Sequence, residues 1–216
     1  MTDDTRFFPA TAMPDPDWWE VLWPQPEQVL ARLGVREPMA AVDLCCGDGR
    51  FTEVLARMCR RVIAIDIDPG LLALARAKLA AAPAARCEFI QGDARAVAAL
   101  VGRPVDFVLM ANTFHGVPDK VGLAHSVASI LQPGGSFAIV NWHRRPREET
   151  TVTGAPRGPR TEMRMTPDDV GAVVAPSGLV PVRLIELPPW HYGMVFQRPA
   201  ATGSADRPDD APPRRP

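Results

Sequence analysis

Residues 42–52 read Val-Asp-Leu-Cys-Cys-Gly-Asp-Gly-Arg-Phe-Thr. An apolar strand runs into a Gly-x-Gly turn, and a helical pattern follows it. Glycine lacks a Cβ, so backbone amides in such a turn can approach a ligand closely. In a dinucleotide-binding turn those amides face a pyrophosphate at a helix N-terminus. Here Asp43 and Asp48 flank the turn and would repel phosphate. The third glycine of that fingerprint is replaced by Thr52. The turn therefore suits a ligand carrying positive charge, such as an ammonium or a sulfonium.

Further strand ends extend the pattern. Val62-Ile63-Ala64-Ile65-Asp66 is a β-branched strand ending in an acid, 17 residues after Gly49. That separation is near the one expected for a carboxylate that accepts ribose hydroxyls. Phe89 to Ala94 reads as a third strand ending in Gly92-Asp93, where an acid can accept an adenine amino group. Val105 to Asn112 is a fourth strand, and Pro133-Gly134-Gly135 turns into a fifth, Ser136 to Trp142. With these four motifs in order, the chain resembles the class I methyltransferases that use S-adenosylmethionine (SAM), over roughly residues 27–198. SAM carries both an ammonium and a sulfonium. The resemblance implies a Rossmann-like, doubly wound α/β sheet of seven strands, order 3-2-1-4-5-7-6, with strand seven antiparallel. It implies a cofactor site from Asp43, Cys45, Gly47, Gly49, Asp66, Ile67, Gly92, Asp93, Ala94 and Asn112. Cys45 departs from the family, which usually has glycine there. Either that position needs less backbone freedom here, or its thiol touches the cofactor.

A chain of 216 residues suits one full core. Its net charge of −1 gives no general reason to expect nucleic acid or an anionic membrane as partner. No apolar run is long enough to span a bilayer, and no signal-peptide pattern opens the chain. The four cysteines lack metal-site spacing, so reduced thiols in the cytoplasm are expected. Oligomeric state is left open between monomer and homodimer.

Alternating strand and helix patterns predict a parallel sheet with helices on both faces. Helices are expected at 25–33, 50–59, 69–82 (stopped by Pro83), 95–100 and 120–131. Residues 1–24, with Trp18, Trp19 and Trp23, read as an aromatic N-terminal lid on a domain spanning 25–198. Residues 144–165 are arginine-rich and punctuated by glycine and proline, and read as a long loop over the active-site side. The reading favours a solvated loop over an acid-binding one. Thr166-Pro167-Asp168-Asp169 is a helix start. Two strands follow, 179–187 and 192–197, joined at Pro188 to His191. Residues 199–216 are proline-rich without large apolar side chains and are expected to be disordered.

Ligands in such sheets bind outside the carboxyl ends of the strands. Three of the four histidines, His115, His143 and His191, fall there in the sequence pattern. Imidazole titrates near neutrality, so His115 is the first candidate for a general base, with His143 second. Trp18, Trp19, Phe114, Trp142, His191 and Tyr192 are candidates for the acceptor pocket, the tryptophans boxing a flat or cationic group. The bland alternative is that these aromatics only pack. The histidines are scattered and no fourth ligand is evident, so no metal is expected. The leading expectation is methyl transfer to a small molecule. The rivals are methylation of a soft inorganic species, which would need convergent mobile thiols, and a SAM-binding module without catalysis.

Overall fold

A short, fully buried strand, β1 (Ala40–Leu44), lies in the interior of the sheet. The computed structural model describes residues 14–80 and 87–200. Before β1 come α1 (Pro16–Leu22) and α2 (Pro26–Leu33). Each has proline in its first turn, where the missing N–H costs no helical bond. After it come α3 (Arg50–Met58), β2 (Arg61–Asp66), α4 (Pro69–Ala80), β3 (Cys87–Gln91), α5 (Val97–Val101), β4 (Val105–Ala111), α6 (Lys120–Ile130) and β5 (Leu131–Trp142). A two-residue hairpin, β6 (Thr151–Val152) and β7 (Ala155–Pro156), precedes α7 (Pro167–Val174), β8 (Val180–Leu187) and β9 (His191–Gln197).

The main sheet runs β3-β2-β1-β4-β5-β9-β8. Strands β1 to β5 pair in parallel, and β9 is antiparallel to both neighbours. Setting aside the β6–β7 hairpin, which lies outside this sheet, the order is the 3-2-1-4-5-7-6 expected from sequence. Side-chain alternation splits the core in two. Val42, Val108, Met110 and Ile139 face α5, α6 and α7, whereas Ala41, Phe107, Leu109 and Val140 face α1, α2 and α3. Both faces are apolar because helices cover both.

Three expectations are corrected. Strand five begins at Leu131 rather than Ser136, because Leu131 pairs with Val105 before the register jumps to Phe107–Ser136. Gln132 to Gly134 forms an exposed bulge within the strand, closed by Gly134 N–H to the Arg198 carbonyl and Arg198 N–H to that of buried Gly135, both 2.8 Å. The expected hairpin residue His191 is instead the first residue of β9, paired with Trp142. The 144–165 segment is not an open loop. It is a strap of two short 3-10 turns and the β6–β7 hairpin, tied from within by Arg164, which is 2% exposed. The Arg164 guanidinium donates to the carbonyls of Arg145, Pro159 and Arg157 at 3.0–3.1 Å and to the Thr150 hydroxyl at 2.9 Å.

The start of α7 is as expected. Thr166 Oγ1 accepts from Asp169 N–H at 3.1 Å, and the Asp169 carboxylate accepts from Thr166 N–H at 2.8 Å, a reciprocal cap. The lid residues fall in two parts. Residues 1–13 lie outside the described residues, as do the Pro83 helix stop and residues 201–216 of the tail. Trp18, Trp19 and Trp23, on and just after α1, are buried in the core of the α1–α3 face. No helix among the described residues is long and apolar enough to cross a membrane.

Candidate active site

A cleft of about 310 Å³ opens over the carboxyl ends of β1, β2, β3, β4 and β5. Its floor on one side is the turn after β1. Cys45 (φ 62°), Gly47 (φ 56°) and Gly49 (φ 86°) all take left-handed conformations. The first alternative for Cys45 is thereby corrected: the position keeps the conformation that favours glycine, although it carries a side chain. The strand end needs that reversal so that Cys46 N–H can reach the Ile65 carbonyl at 3.0 Å.

Acids hold this turn together. Asp66 accepts from Gly47 N–H at 2.8 Å and from Asp68 N–H at 2.9 Å, stitching the ends of β1 and β2. Burial raises its pKa, and those amide donors offset part of the rise. Thr52, in place of a third glycine, is fully buried and donates its hydroxyl to Asp43 at 2.6 Å. Burial pushes the Asp43 carboxyl up to about 7; the Thr52 hydrogen bond opposes this, and the charges of Asp66 and Asp48 add to it. Asp48 is paired with Lys78. Three carboxylates thus crowd one turn that lacks a matching number of cations, and a cationic ligand relieves that crowding. Gly49 is not on the cleft wall. A Cβ there would sit 2.8 Å from that of Ala75, so its role is close packing of the turn on α4.

At the β3 end, Gly92 and Ala94 line the cleft. Asp93 does not. Its carboxylate caps the following turn through Arg95 N–H at 2.8 Å and pairs with the Arg95 guanidinium, whose hydrogen bonds hold its pKa down. The expected adenine acceptor is therefore committed to Arg95.

The other half of the cleft lies over β4 and β5. Asn112 (φ 61°) and Thr113 follow β4, and His115 stands on the next short turn. His115 is 7% exposed, and neither ring nitrogen has a partner among the described residues. Burial lowers its pKa to about 4, partly offset by the neighbouring Asn141 amide, so the ring is neutral at neutral pH. Trp18, Trp19 and Trp142 form aromatic walls, with the unpartnered Trp19 Nε1 also buried. Trp142 is gripped by His191, ring centroids 4.2 Å apart, and by Gly158, where a Cβ would fall 2.7 Å from the indole.

Four expected site residues lie elsewhere. His143 is off the cleft wall and bonds Glu186 at 2.9 Å across the strand edge. His191 is buried behind Trp142 and against Trp23. Phe114 packs edge-on to Phe137 in the core, and the Tyr192 hydroxyl donates to the Met165 carbonyl at 2.8 Å. Sequence reading also missed cleft residues Arg50, Phe51 and Leu71 and the strap's Gly158 and Pro159, and it favoured a solvated loop for Arg147 and Arg157, which line the cleft with Cys46. Leu71, on the first turn after Asp66, was the most accessible of these from helical phase alone. The thiols do not suit capture of a soft ion, because burial and adjacent acids push Cys45 and Cys46 up and keep them protonated.

Comparison with known proteins agrees with this geometry. A family model described as "Methyltransferase domain" matches residues 41–135. The chain is 30% identical over 116 residues to a demethylmenaquinone methyltransferase of Lactococcus lactis, covering 52% of this chain and 46% of that one. It is 30% identical over 141 residues to a ubiquinone biosynthesis O-methyltransferase of Xanthomonas axonopodis, covering 60% and 57%. The chain thus spans about half the length of the curated relatives it matches. In fold it is similar to a SAM-dependent methyltransferase from Aquifex aeolicus, with a TM-score of 0.71 at 23% identity over 85% of this chain and 93% of that one. In the matched segment and in fold the chain is similar to the class I SAM-dependent methyltransferases. The residues fit that cofactor: the crowded acids, the left-handed turn and the glycine at the β3 end together form a cradle for a cationic nucleoside.

Proposed function

We propose that this protein transfers a methyl group from SAM to a small-molecule acceptor. The observation that carries the reading is the joining, in one cleft, of the three-acid turn with a buried, unpartnered polar and aromatic chamber. When bound, SAM would supply an electrophilic methyl on a sulfonium for transfer to the acceptor's nucleophile, with its neutral demethylated product as the leaving group. The chain's own residues do the rest. Asp66 keeps carboxylate lone pairs beyond its two amide bonds, and these would hold the ribose hydroxyls. Asp43 would face the ammonium, and Gly92 and Ala94 the adenine edge. Trp18, Trp19 and Trp142 exclude water and orient the acceptor. Neutral His115 would accept a hydrogen bond or a proton from the nucleophile, although a pKa near 4 makes it a weak base. The curated relatives are named for quinone substrates or pathways, and a flat quinone-type ring is in keeping with aromatic cleft walls.

Calorimetry with SAM, its demethylated product S-adenosylhomocysteine (SAH), and NAD tests cofactor choice. The first two should bind and NAD should not. A methyl-labelled SAM assay on a metabolite extract, with products identified by mass, then tests transfer. SAM binding without any labelled product would favour a non-catalytic binding module.

A further inference from the structure

The strap brings two arginines, Arg147 and Arg157, to the acceptor half of the cleft, and among the described residues their terminal nitrogens have no hydrogen-bond partner. The Arg157 guanidinium lies 5.2 Å from the Trp18 ring centre, and its Nε is buried without a hydrogen-bond partner. Arg147 donates its Nε to the Gly158 carbonyl at 3.0 Å, which fixes its fork beside the residue that follows Arg157. Among the described residues neither arginine pairs with a carboxylate, although Arg57, Arg95 and Arg103 all do. The strap's own acids give no relief, since Glu148 and Glu149 are exposed and off the cleft wall. Arg164 differs, because its donors are spent on the strap's carbonyls.

A cleft with acids at one end and unpaired guanidinium forks at the other has a clear polarity. Held forks beside aromatic rings match a planar carboxylate on a flat body, which each fork can engage with two parallel bonds. We infer that Arg147 and Arg157 form a carboxylate clamp, and that the methyl acceptor is a small, flat organic acid seated against Trp18 and Trp142. This rests on the methyl-transfer reading for the role of the site. The cofactor's own carboxylate has a separate candidate in Arg50, on the first turn of α3 beside the glycine turn, which donates one terminal nitrogen to the Trp23 carbonyl at 2.5 Å and leaves its Nε unpartnered.

The test uses the full chain loaded with SAH. Benzoate, 4-hydroxybenzoate and cinnamate are titrated against their primary amides, with phenyl phosphate alongside. The acids should bind about tenfold or more tighter than the amides. Arg157→Gln should erase most of that preference, a loss of about ten- to a hundredfold, while Arg157→Lys should keep part of it. Affinity for SAH should be unchanged in both variants, which also shows that they fold. Equal binding of acids and amides, or no acid binding at millimolar concentration, overturns the clamp. Tighter binding of phenyl phosphate than of benzoate overturns the carboxylate assignment. If Arg157→Gln weakens SAH but leaves 5′-methylthioadenosine (which lacks the amino-acid group) unaffected, the clamp belongs to the cofactor and the inference fails. Failure of the methyl-transfer reading looks different: the unmodified chain would then not bind SAH, or would bind SAM and yield no labelled product.

Discussion

The two halves of the cleft are built on opposite principles. Over β1 and β2, acids are tied to backbone amides and a threonine hydroxyl, and the negative charge is concentrated. Over β4 and β5, the walls are aromatic, buried polar atoms stand unpartnered, and the nearby charge is arginine. The first half is complete in itself because its residues come from consecutive strand ends. The second depends on chain brought in from far away, α1 before the sheet and the strap after β5. A preorganised half suits a cofactor used in every turnover. A half with unmet hydrogen bonds suits a ligand that completes it.

That contrast breaks most sharply at Arg164. Arg164→Met should leave several buried carbonyls without donors and cost about 3 kcal/mol or more. If the halves are separate, the acceptor side should loosen while residual SAH affinity persists at low temperature. Thermal melts with and without SAH read both effects, and simultaneous loss of folding and binding would mean that the strap supports the whole domain.

Asp66→Ala probes the other half. It should weaken SAH by about 1–3 kcal/mol and leave the tryptophan chamber intact. Unchanged affinity by calorimetry would remove Asp66 from the site.

Proton linkage sharpens the comparison next. Asp43 in the fold titrates near 7 against an ordinary 3.8, so the fold favours its protonated form. Its contribution to stability is full below 3.8 and is lost as pH rises through about 7. A cationic ligand needs the ionised form, so SAM affinity should climb with pH through about 7 and then level off. Binding should release a proton, and Asp43→Asn should abolish both effects. His115 has the opposite sign. Its pKa falls from 6.5 to about 4, so stability is lost as pH drops through that window. His115→Gln should slow transfer by about 10²-fold at most, with no inflection near 6.5 in the parent's rate profile and no change in SAH affinity. An inflection there would show that ligand binding restores a normal imidazole.

The smallest effect is expected at Cys45. Cys45→Gly relieves a left-handed conformation and should stabilise the apo protein by up to about 1 kcal/mol, read as a higher melting temperature. A drop instead would mean that the thiol's packing outweighs its backbone strain.

Sequence alone determined the sheet, and it pointed to the acids and glycines that line the acidic half of the cleft. Asp43, Gly47, Asp66 and Gly92 sit at strand ends, and a strand's end is legible from hydrophobic runs broken by acid and glycine. Strand order followed from the family pattern, and the α7 cap from Thr166 to Asp169 was local. Asp93 escaped because its partner Arg95, two residues on, competes for the same carboxylate, and only side-chain geometry shows which interaction wins. The acceptor half was decided by tertiary structure. Whether His191 or Trp142 meets the cleft depends on β5–β9 pairing between residues far apart in the chain. The strap carries no periodic pattern, and its shape comes from one buried guanidinium gathering distant carbonyls. Local propensity reaches only a few residues along the chain, so contacts that close such long loops become visible only once the fold has brought them together.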